Sequence, residues 1–250
     1  MTSNLNGRTA LVTGSTDGIG AAVARTLAAA GAHVVISGRD TARGEKVAAG
    51  IAERGGRADF VRADLSTGAG VRDLAAAAHR LAGGPLDILV NNAAMLLNPT
   101  PTADVAEEVI DGALAVNVKA AFLLTGLTAP AMAERGGGAI VNLGSISGLF
   151  GSGGSALYST TKAAIHSLTK SWADEYGPSG VRVNTVAPGP TFTDKVAEMA
   201  DHLAPLIATL PSRRPSTPEE VAKAVLFLVG DDAANIHGAT LSVDGGRSAI

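Results

Sequence analysis

Short apolar runs alternate along this chain with longer stretches in which apolar positions recur every three or four residues. Arg8 to Thr13 is an apolar run ending at Gly14; helical spacing follows from Ile19 to Ala30, where Gly31 supplies a stop. Similar runs over His33–Ser37, Arg57–Arg62, Leu86–Val90, Gly138–Leu143, Val181–Val186 and Thr240–Val243 predict further strands. Between them, spacing predicts helices over Thr41–Arg54, near Val71–Leu81, and over Ala103–Ala115, Val118–Arg135, Ala156–Ser171 and Pro218–Val229. Strand and helix alternate from end to end, which predicts an α/β fold: one doubly wound parallel sheet flanked by helices, in a single domain over residues 1–250. Pro188-Gly189-Pro190 must break regular structure. Thr191 to Pro215 beyond it, rich in Leu, Ala and Met, reads either as a helical lid over a pocket or as an amphipathic surface helix.

Composition narrows the function. The formal charge is −3, and no basic run is interleaved with aromatics, which argues against a nucleic-acid partner. There is no cysteine, which excludes disulfides and thiolate nucleophiles and fits a cytoplasmic location. The five histidines, His33, His79, His166, His202 and His237, show no i, i+4 pairing, so no metal site is expected. No stretch reads as a leader peptide or as the roughly 18 apolar residues of a membrane span, so no membrane partner is expected.

Candidate chemistry concentrates between Gly144 and Lys162. Tyr158 and Lys162, four apart on a predicted helix, lie on one face, so the ammonium can favour the phenolate and bring the phenol into a range useful for acid and base work. Ser145, at the end of a predicted strand, could hydrogen-bond the oxygen that Tyr158 protonates. A chance Tyr/Lys pair on a helix is the plain alternative. The turn Thr13 to Gly20 joins a strand to a helix, and its glycines can let the backbone approach a pyrophosphate at the helix N-terminus; tight turns also use glycine for steric reasons alone. Arg39, after the second strand, offers donors suited to a 2′-phosphate, whereas Asp40 reads as the cap of the next helix. This favours NADP(H) over NAD(H). Asp64 could accept from an adenine amino group or cap the helix that follows; Asn91 to Ala94 suits a loop bordering a crevice. Asn117 is either a polar interruption of its helix or the site of a kink that exposes a carbonyl.

These residues, in this order, resemble the short-chain dehydrogenases/reductases over essentially the whole chain, and among them the 3-oxoacyl-acyl-carrier-protein reductases. The resemblance rests on Thr13–Gly20, Asp64, Asn91–Ala94, Asn117, Ser145, Tyr158 with Lys162, and Pro188-Gly189 followed by Thr193. It implies a Rossmann-type sheet of seven strands, a homotetramer, and reversible hydride transfer between a nicotinamide and a carbonyl or secondary alcohol. By resemblance Tyr158 is the general acid/base, Lys162 lowers its pKa and binds the nicotinamide ribose, Ser145 holds the substrate oxygen, and Asn117 supports a water that relays protons. The implied cofactor contacts are Gly14, Ser15, Asp17, Gly18, Ile19, Gly20, Arg39, Asp64, Leu65, Asn91, Ala93, Pro188, Gly189, Thr191 and Thr193, besides Tyr158 and Lys162. Ala94 stands where the family usually has glycine, and Asp17 where some NADP-preferring relatives carry a basic residue. Ser147, Leu96, Phe150 and Phe192 are expected near the substrate, with Leu97, Leu149 and Met199 adding an apolar lining that suits a hydrophobic ketone or a 3-oxoacyl thioester. Arg213 and Arg214 could meet a charged group on a larger substrate, but they read better as solvated charges. An NAD-dependent sugar or polyol dehydrogenase, and a non-enzymatic nicotinamide-binding module, are the alternatives.

Overall fold

The structure, a computed structural model, describes residues 4–193 and 200–250. Its strands are β1 (Thr9–Val12), β2 (His33–Gly38), β3 (Arg57–Arg62), β4 (Ile88–Asn91), β5 (Gly138–Leu143), β6 (Val181–Pro188) and β7 (Thr240–Val243). They form one seven-stranded sheet in the order β3-β2-β1-β4-β5-β6-β7, every neighbouring pair parallel. The helices are α1 (Gly18–Ala29), α2 (Thr41–Ala52), α3 (Gly68–Ala82), α4 (Glu107–Leu114), α5 (Ala120–Glu134), α6 (Ala156–Tyr176), α7 (Ala200–Thr209) and α8 (Pro218–Val229).

Side chains alternate across each strand, so a sheet covered on both sides needs two apolar layers. Leu11, Val35, Leu89, Ile140 and Val183 face α3, α5 and α6, whereas Val12, Val34, Ile36, Val90 and Val141 face α1, α2 and α8. Each such side chain contributes about 1.5–3 kcal/mol on burial, which fixes the layers but not their fine alignment. Directional bonds supply that. The Asn91 amide donates to Asn142 Oδ1 at 2.9 Å, Asn142 donates to Thr169 Oγ1 at 2.8 Å, and Thr169 meets Thr185 at 2.7 Å, so one buried polar chain ties β4, β5, α6 and β6 together. The doubly wound order reverses between β1 and β4, and a crevice opens there at the carboxyl ends of the strands.

Several boundaries differ from expectation. The two helices expected around Asn117 are one continuous stretch, Glu107–Glu134, with a π-helical turn at Ala115–Lys119 in which the Ala120 N–H reaches the Ala115 carbonyl. The wider turn accommodates Asn117, whose side chain is drawn inward to hydrogen-bond Met95 and Thr161. Within this 28-residue stretch a window of 18 residues has a mean hydropathy of 1.5, so by length and composition alone it is apolar enough to cross a membrane, contrary to the expectation that no segment would be. It is apolar on two sides: Ala120, Leu124, Ala129 and Met132 belong to the packed core, and Phe122 and Leu127 are exposed. Helix α6 runs on to Tyr176 rather than stopping near Ser171, because Trp172 and Ala173 are buried on the sheet. Asp40 caps α2 as expected, accepting from Arg43 N at 3.0 Å. Thr67, not Asp64, caps α3.

The start of α8 carries a complete capping box: Thr217 accepts from Glu220 N at 3.2 Å, and Glu220 accepts from Thr217 N at 2.8 Å. Thr217→Ala is therefore expected to cost about 1 kcal/mol, seen in a thermal melt as a Tm lower by about 2–4 °C.

Candidate active site

The crevice is a cleft of about 540 Å3, within the range of about 300–1,000 Å3 common for small-molecule sites. It runs from the turn after β1, past Arg39, Asp64 and Leu65, to Ser145, Tyr158 and Lys162. Gly14 sits at φ +62°, and a Cβ there would lie 2.8 Å from the Ala93 main chain, so only glycine allows the β1 turn and the β4 loop to meet. A Cβ on Gly20 would collide with the Gly14 carbonyl and the Asn92 amide. Backbone brought this close, ending in the N-terminus of α1, is a cradle for a phosphate diester. Asp17 caps α1 through Gly18 N at 2.7 Å and pairs with Arg43 at 3.3 Å. Asp64 accepts from Ser66 N at 3.0 Å, and that bond holds its carboxyl below the usual range, so it faces the cleft ionised.

At the other end, Lys162 is buried and its Nζ donates to the Leu143 carbonyl at 2.8 Å. Burial lowers its pKa to about 8. The same Nζ lies 5.7 Å from the centre of the Tyr158 ring. Burial raises the Tyr158 phenol above its ordinary value, and the Ser145 hydrogen bond offsets this only in part. The expectation that Lys162 depresses the phenol does not describe the site as it stands. Burial outweighs the Ser145 bond, and the phenol is held neutral. Ser145 is nine-tenths buried, and its Oγ accepts from Ser147 N at 3.1 Å, which leaves the hydroxyl proton free to donate.

The structure brings Gly14, Asp17, Gly18, Ile19, Arg39, Asp64, Leu65, Ala93, Leu96, Ser145, Tyr158, Lys162, Pro188, Gly189, Thr191 and Thr193 to one cleft wall. Others fall elsewhere. Ser15 is fully buried; its hydroxyl donates to the Val12 carbonyl and accepts from Ser37 N, and its own N–H donates to the Ser37 carbonyl, so it fastens the turn to β2 instead of facing a ligand. The Asn91 side chain points into the interior toward Asn142 and Thr125, because strand alternation turns it away from the crevice. Ser147 acts through its N–H on Ser145. Phe150 lies against the Arg247 guanidinium, 5.9 Å from ring to charge, and neither it nor Phe192, Leu97 or Leu149 lines the cleft. Asn117 is spent on Met95 and Thr161 and borders a separate cavity of about 10 Å3, shared with Asn91 and Lys162. Arg214 is bound to Glu220, and the Arg213 guanidinium donates to the Ala208 carbonyl. Met199 lies outside the described residues. The sequence reading missed Thr16, Ser37, Ser66, Met95 and Val116 as cleft residues. Thr16 and Ser66 are motif neighbours and could have been included; Val116 arrives only through the π turn.

The family model described as enoyl-(acyl carrier protein) reductase matches residues 14–248. The cis-4-hydroxycyclohexanecarboxylate dehydrogenase of Sinomonas cyclohexanicum is 41% identical over 248 residues, 97% of each chain. This chain is a short-chain dehydrogenase/reductase. Human dehydrogenase/reductase SDR family member 4 is 40% identical over 97% of this chain and 88% of its own. Among solved structures, a short-chain dehydrogenase/reductase family protein superposes with a TM-score of 0.91 at 45% identity, covering 99% of this chain and 100% of its own. A chain described as an NAD(P)-dependent gluconate 5-dehydrogenase from Beutenbergia cavernae, with NADP bound at low occupancy, gives 0.93 at 37% identity over the full length of both. As a short-chain dehydrogenase/reductase the protein is an NAD(P)-dependent oxidoreductase acting on CH–OH and C=O groups.

Lys162 supplies a signed pH dependence. Its proton leaves the folded protein near pH 8 but the unfolded chain only near 10.5, so the unfolded state binds more protons in between and this group makes stability rise with pH. Lys162→Met lacks the buried charge. The stability advantage of that variant over the unsubstituted protein, measured by urea unfolding without cofactor, is expected to narrow from pH 7 to 9.5; a constant gap would show that the amine keeps its proton.

Proposed function

We propose that the enzyme is an NADP(H)-preferring ketone reductase, in the other direction an alcohol dehydrogenase, for a hydrophobic carbonyl such as a 3-oxoacyl thioester, with Tyr158 as general acid/base. The convergence of Ser145, Tyr158 and Lys162 at one end of a cleft whose other end presents Arg39 carries this reading. A nicotinamide cofactor would supply or accept the hydride; the residues of the chain manage the proton. In the reductive direction Tyr158 gives its hydroxyl proton to the carbonyl oxygen, and the Ser145 O–H, oriented by Ser147 N, donates to the same oxygen as charge builds on it. Lys162, fixed by Leu143, would hold the nicotinamide ribose. The cavity bounded by Asn117, Asn91 and Lys162 has room for about one water, and such a water would return the proton; the Asn117 side chain being occupied, the main chain of the π turn is left to hold it.

Three observations support NADP(H). Arg39 faces the cleft and forms no ion pair among the described residues. A Cβ on Gly38 would lie 2.6 Å from Thr16 Cγ2, so no carboxylate can project from that position to take the ribose hydroxyls. Asp40, the next acid along, is committed to capping α2 and to Arg43. Asp64, which lines the same cleft, would accept from the adenine amino group.

Among the described residues the cleft lining includes Met95 and Leu96, and its charged side chains are Asp17, Arg39 and Asp64 from the strand-end loops of β1 to β3 and Lys162, which favours an apolar substrate. The polyol alternative draws on the gluconate 5-dehydrogenase neighbour. Thr191 and Ser216 are bridged, with Phe192 N donating to the Ser216 carbonyl at 2.9 Å and Ser216 N to the Pro190 carbonyl at 2.8 Å, contacts that support a lid over 191–215, of which residues 194–199 lie outside the described residues. The exposed Val109, Ile110, Leu114, Phe122 and Leu127 on the Glu107–Glu134 stretch offer a face for further copies in a homotetramer, and the absence of cysteine favours a cytoplasmic setting. Neither a nucleic-acid nor a membrane partner is proposed.

Tyr158→Phe is expected to lower kcat about 100- to 10,000-fold while nicotinamide fluorescence reports an unchanged cofactor Kd; retained turnover would remove the tyrosine from the mechanism. Arg39→Ala is expected to weaken NADPH binding about 10- to 100-fold and leave NADH binding within twofold. Tighter binding of NADH than NADPH by the unsubstituted enzyme would overturn the preference. A panel of ketones and alcohols followed by nicotinamide absorbance separates hydrophobic carbonyls from polyols.

A further inference from the structure

His166 is buried in α6 one turn beyond Lys162, and the proton path above gives it no task. Its surroundings are specific. The Ser145 carbonyl receives two donors, Gly148 N at 3.0 Å and His166 Nε2 at 3.0 Å, while His166 Nδ1 lies 3.2 Å from the Thr240 hydroxyl on β7. A carbonyl cannot donate, so Nε2 must carry the proton and Nδ1 accepts from Thr240: the two partners select one tautomer. Burial lowers the histidine pKa, reinforced by the charges of Lys162 and Lys170 and opposed by the bond to Ser145, which keeps the ring neutral and in that tautomer. The ring also fills the space between the two glycines that flank the serine turn. A Cβ on Gly144 would lie 2.8 Å from it, and one on Gly148 2.7 Å. The turn Ile146–Gly148 therefore follows the shape of the imidazole, and Ser145 is the residue from which that turn starts.

We propose that His166 is a positioning residue: held in its Nε2–H tautomer by Thr240, it anchors the Ser145 main chain so that the serine hydroxyl aligns with the Tyr158 phenol and with the substrate oxygen. This rests on the reading of Ser145 and Tyr158 given above. It acts through Ser145 and touches no reacting atom. His166→Leu removes the donor, whereas His166→Gln returns an amide N–H of similar reach.

Two readouts test it. Of the two tyrosines, Tyr176 can be replaced by Phe, so that phenolate absorbance in that background reports Tyr158 alone. Because the Ser145 bond holds the phenol down, His166→Leu is expected to raise its titration midpoint and His166→Gln to restore it. In NADPH-dependent reduction of ethyl acetoacetate, His166→Leu is expected to lower kcat roughly tenfold and His166→Gln to stay within about threefold, with KM for NADPH unchanged in both. In a Ser145→Ala background the leucine substitution should cost nothing more. An unshifted midpoint with unchanged kcat, or an equal loss in the Ser145→Ala background, overturns the proposal. Should His166→Leu not fold, Thr240→Val takes its place, with a loss of about threefold expected in the presence of Ser145 and none in its absence; equal losses overturn the proposal in the same way. If the unsubstituted enzyme reduces no ketone at all, the carbonyl-reductase reading fails, and the tyrosine titration still decides the role of His166.

Discussion

A buried amine whose one hydrogen-bond partner among the described residues is a carbonyl organises this molecule. Lys162 is almost fully enclosed, and its ammonium has lost its water in exchange for the carbonyl of Leu143, the last residue of β5. Desolvating a cation is costly, and a single neutral acceptor does not offset it, which is why burial brings its pKa down toward 8. A site that tolerates this cost is poised to gain from any ligand that presents hydroxyls to the same nitrogen. The bond also sets geometry. It draws the start of α6 over the carboxyl end of β5, so that Tyr158, one turn earlier, stands at the mouth of the crevice beside Ser145.

Helix α6 departs from the usual rule for a helix packed on a sheet. Its buried face carries Thr161, Lys162, His166 and Thr169 as well as Ile165 and Trp172. The polar members reach Asn117, Leu143, Ser145, Thr240, Asn142 and Thr185, on five other elements. Apolar packing is tolerant of small slides along and around a helix, whereas hydrogen bonds lose strength within a few tenths of an ångström. Polar pins thus hold the Tyr158 end of the helix where dispersion forces alone would leave it free to shift. The opposite end of the cleft is built differently, from backbone brought together by glycine and from strand ends locked by Ser15 and Thr13, and it suits a ligand recognised by main-chain N–H groups.

Much of this was legible beforehand. Strands β3, β5 and β7 and helix α8 begin and end where the apolar runs and the Pro218-Glu219-Glu220 start predicted, because those boundaries are set by local chemistry. The motif residues that meet at the cleft were legible for the same reason, since a fixed spacing on one helix or one turn survives folding unchanged. Misplaced residues share a different property. Ser15, Asn91 and Ser147 sit within recognisable motifs, yet which side of the chain each presents depends on what packs behind it. Asn91 and Asn92 are adjacent, and strand alternation sends only the second to the crevice. Phe150 and Phe192 were expected at the substrate for their apolar character, and Phe150 instead found the guanidinium of Arg247, nearly one hundred residues away in sequence.

Taken alone, the sequence determined the order and type of the elements, the glycine turn, the cap at Asp40, and the set Ser145, Tyr158 and Lys162, since periodicity, backbone freedom and spacing are properties of neighbouring residues. Only the tertiary structure decided the π turn at Asn117, the balance that leaves the Tyr158 phenol neutral, the closing of position 38 by Thr16, and the link from His166 to Ser145. Each of these depends on groups distant along the chain meeting where water is excluded, and burial and directional bonding at such a meeting have no counterpart in an extended chain.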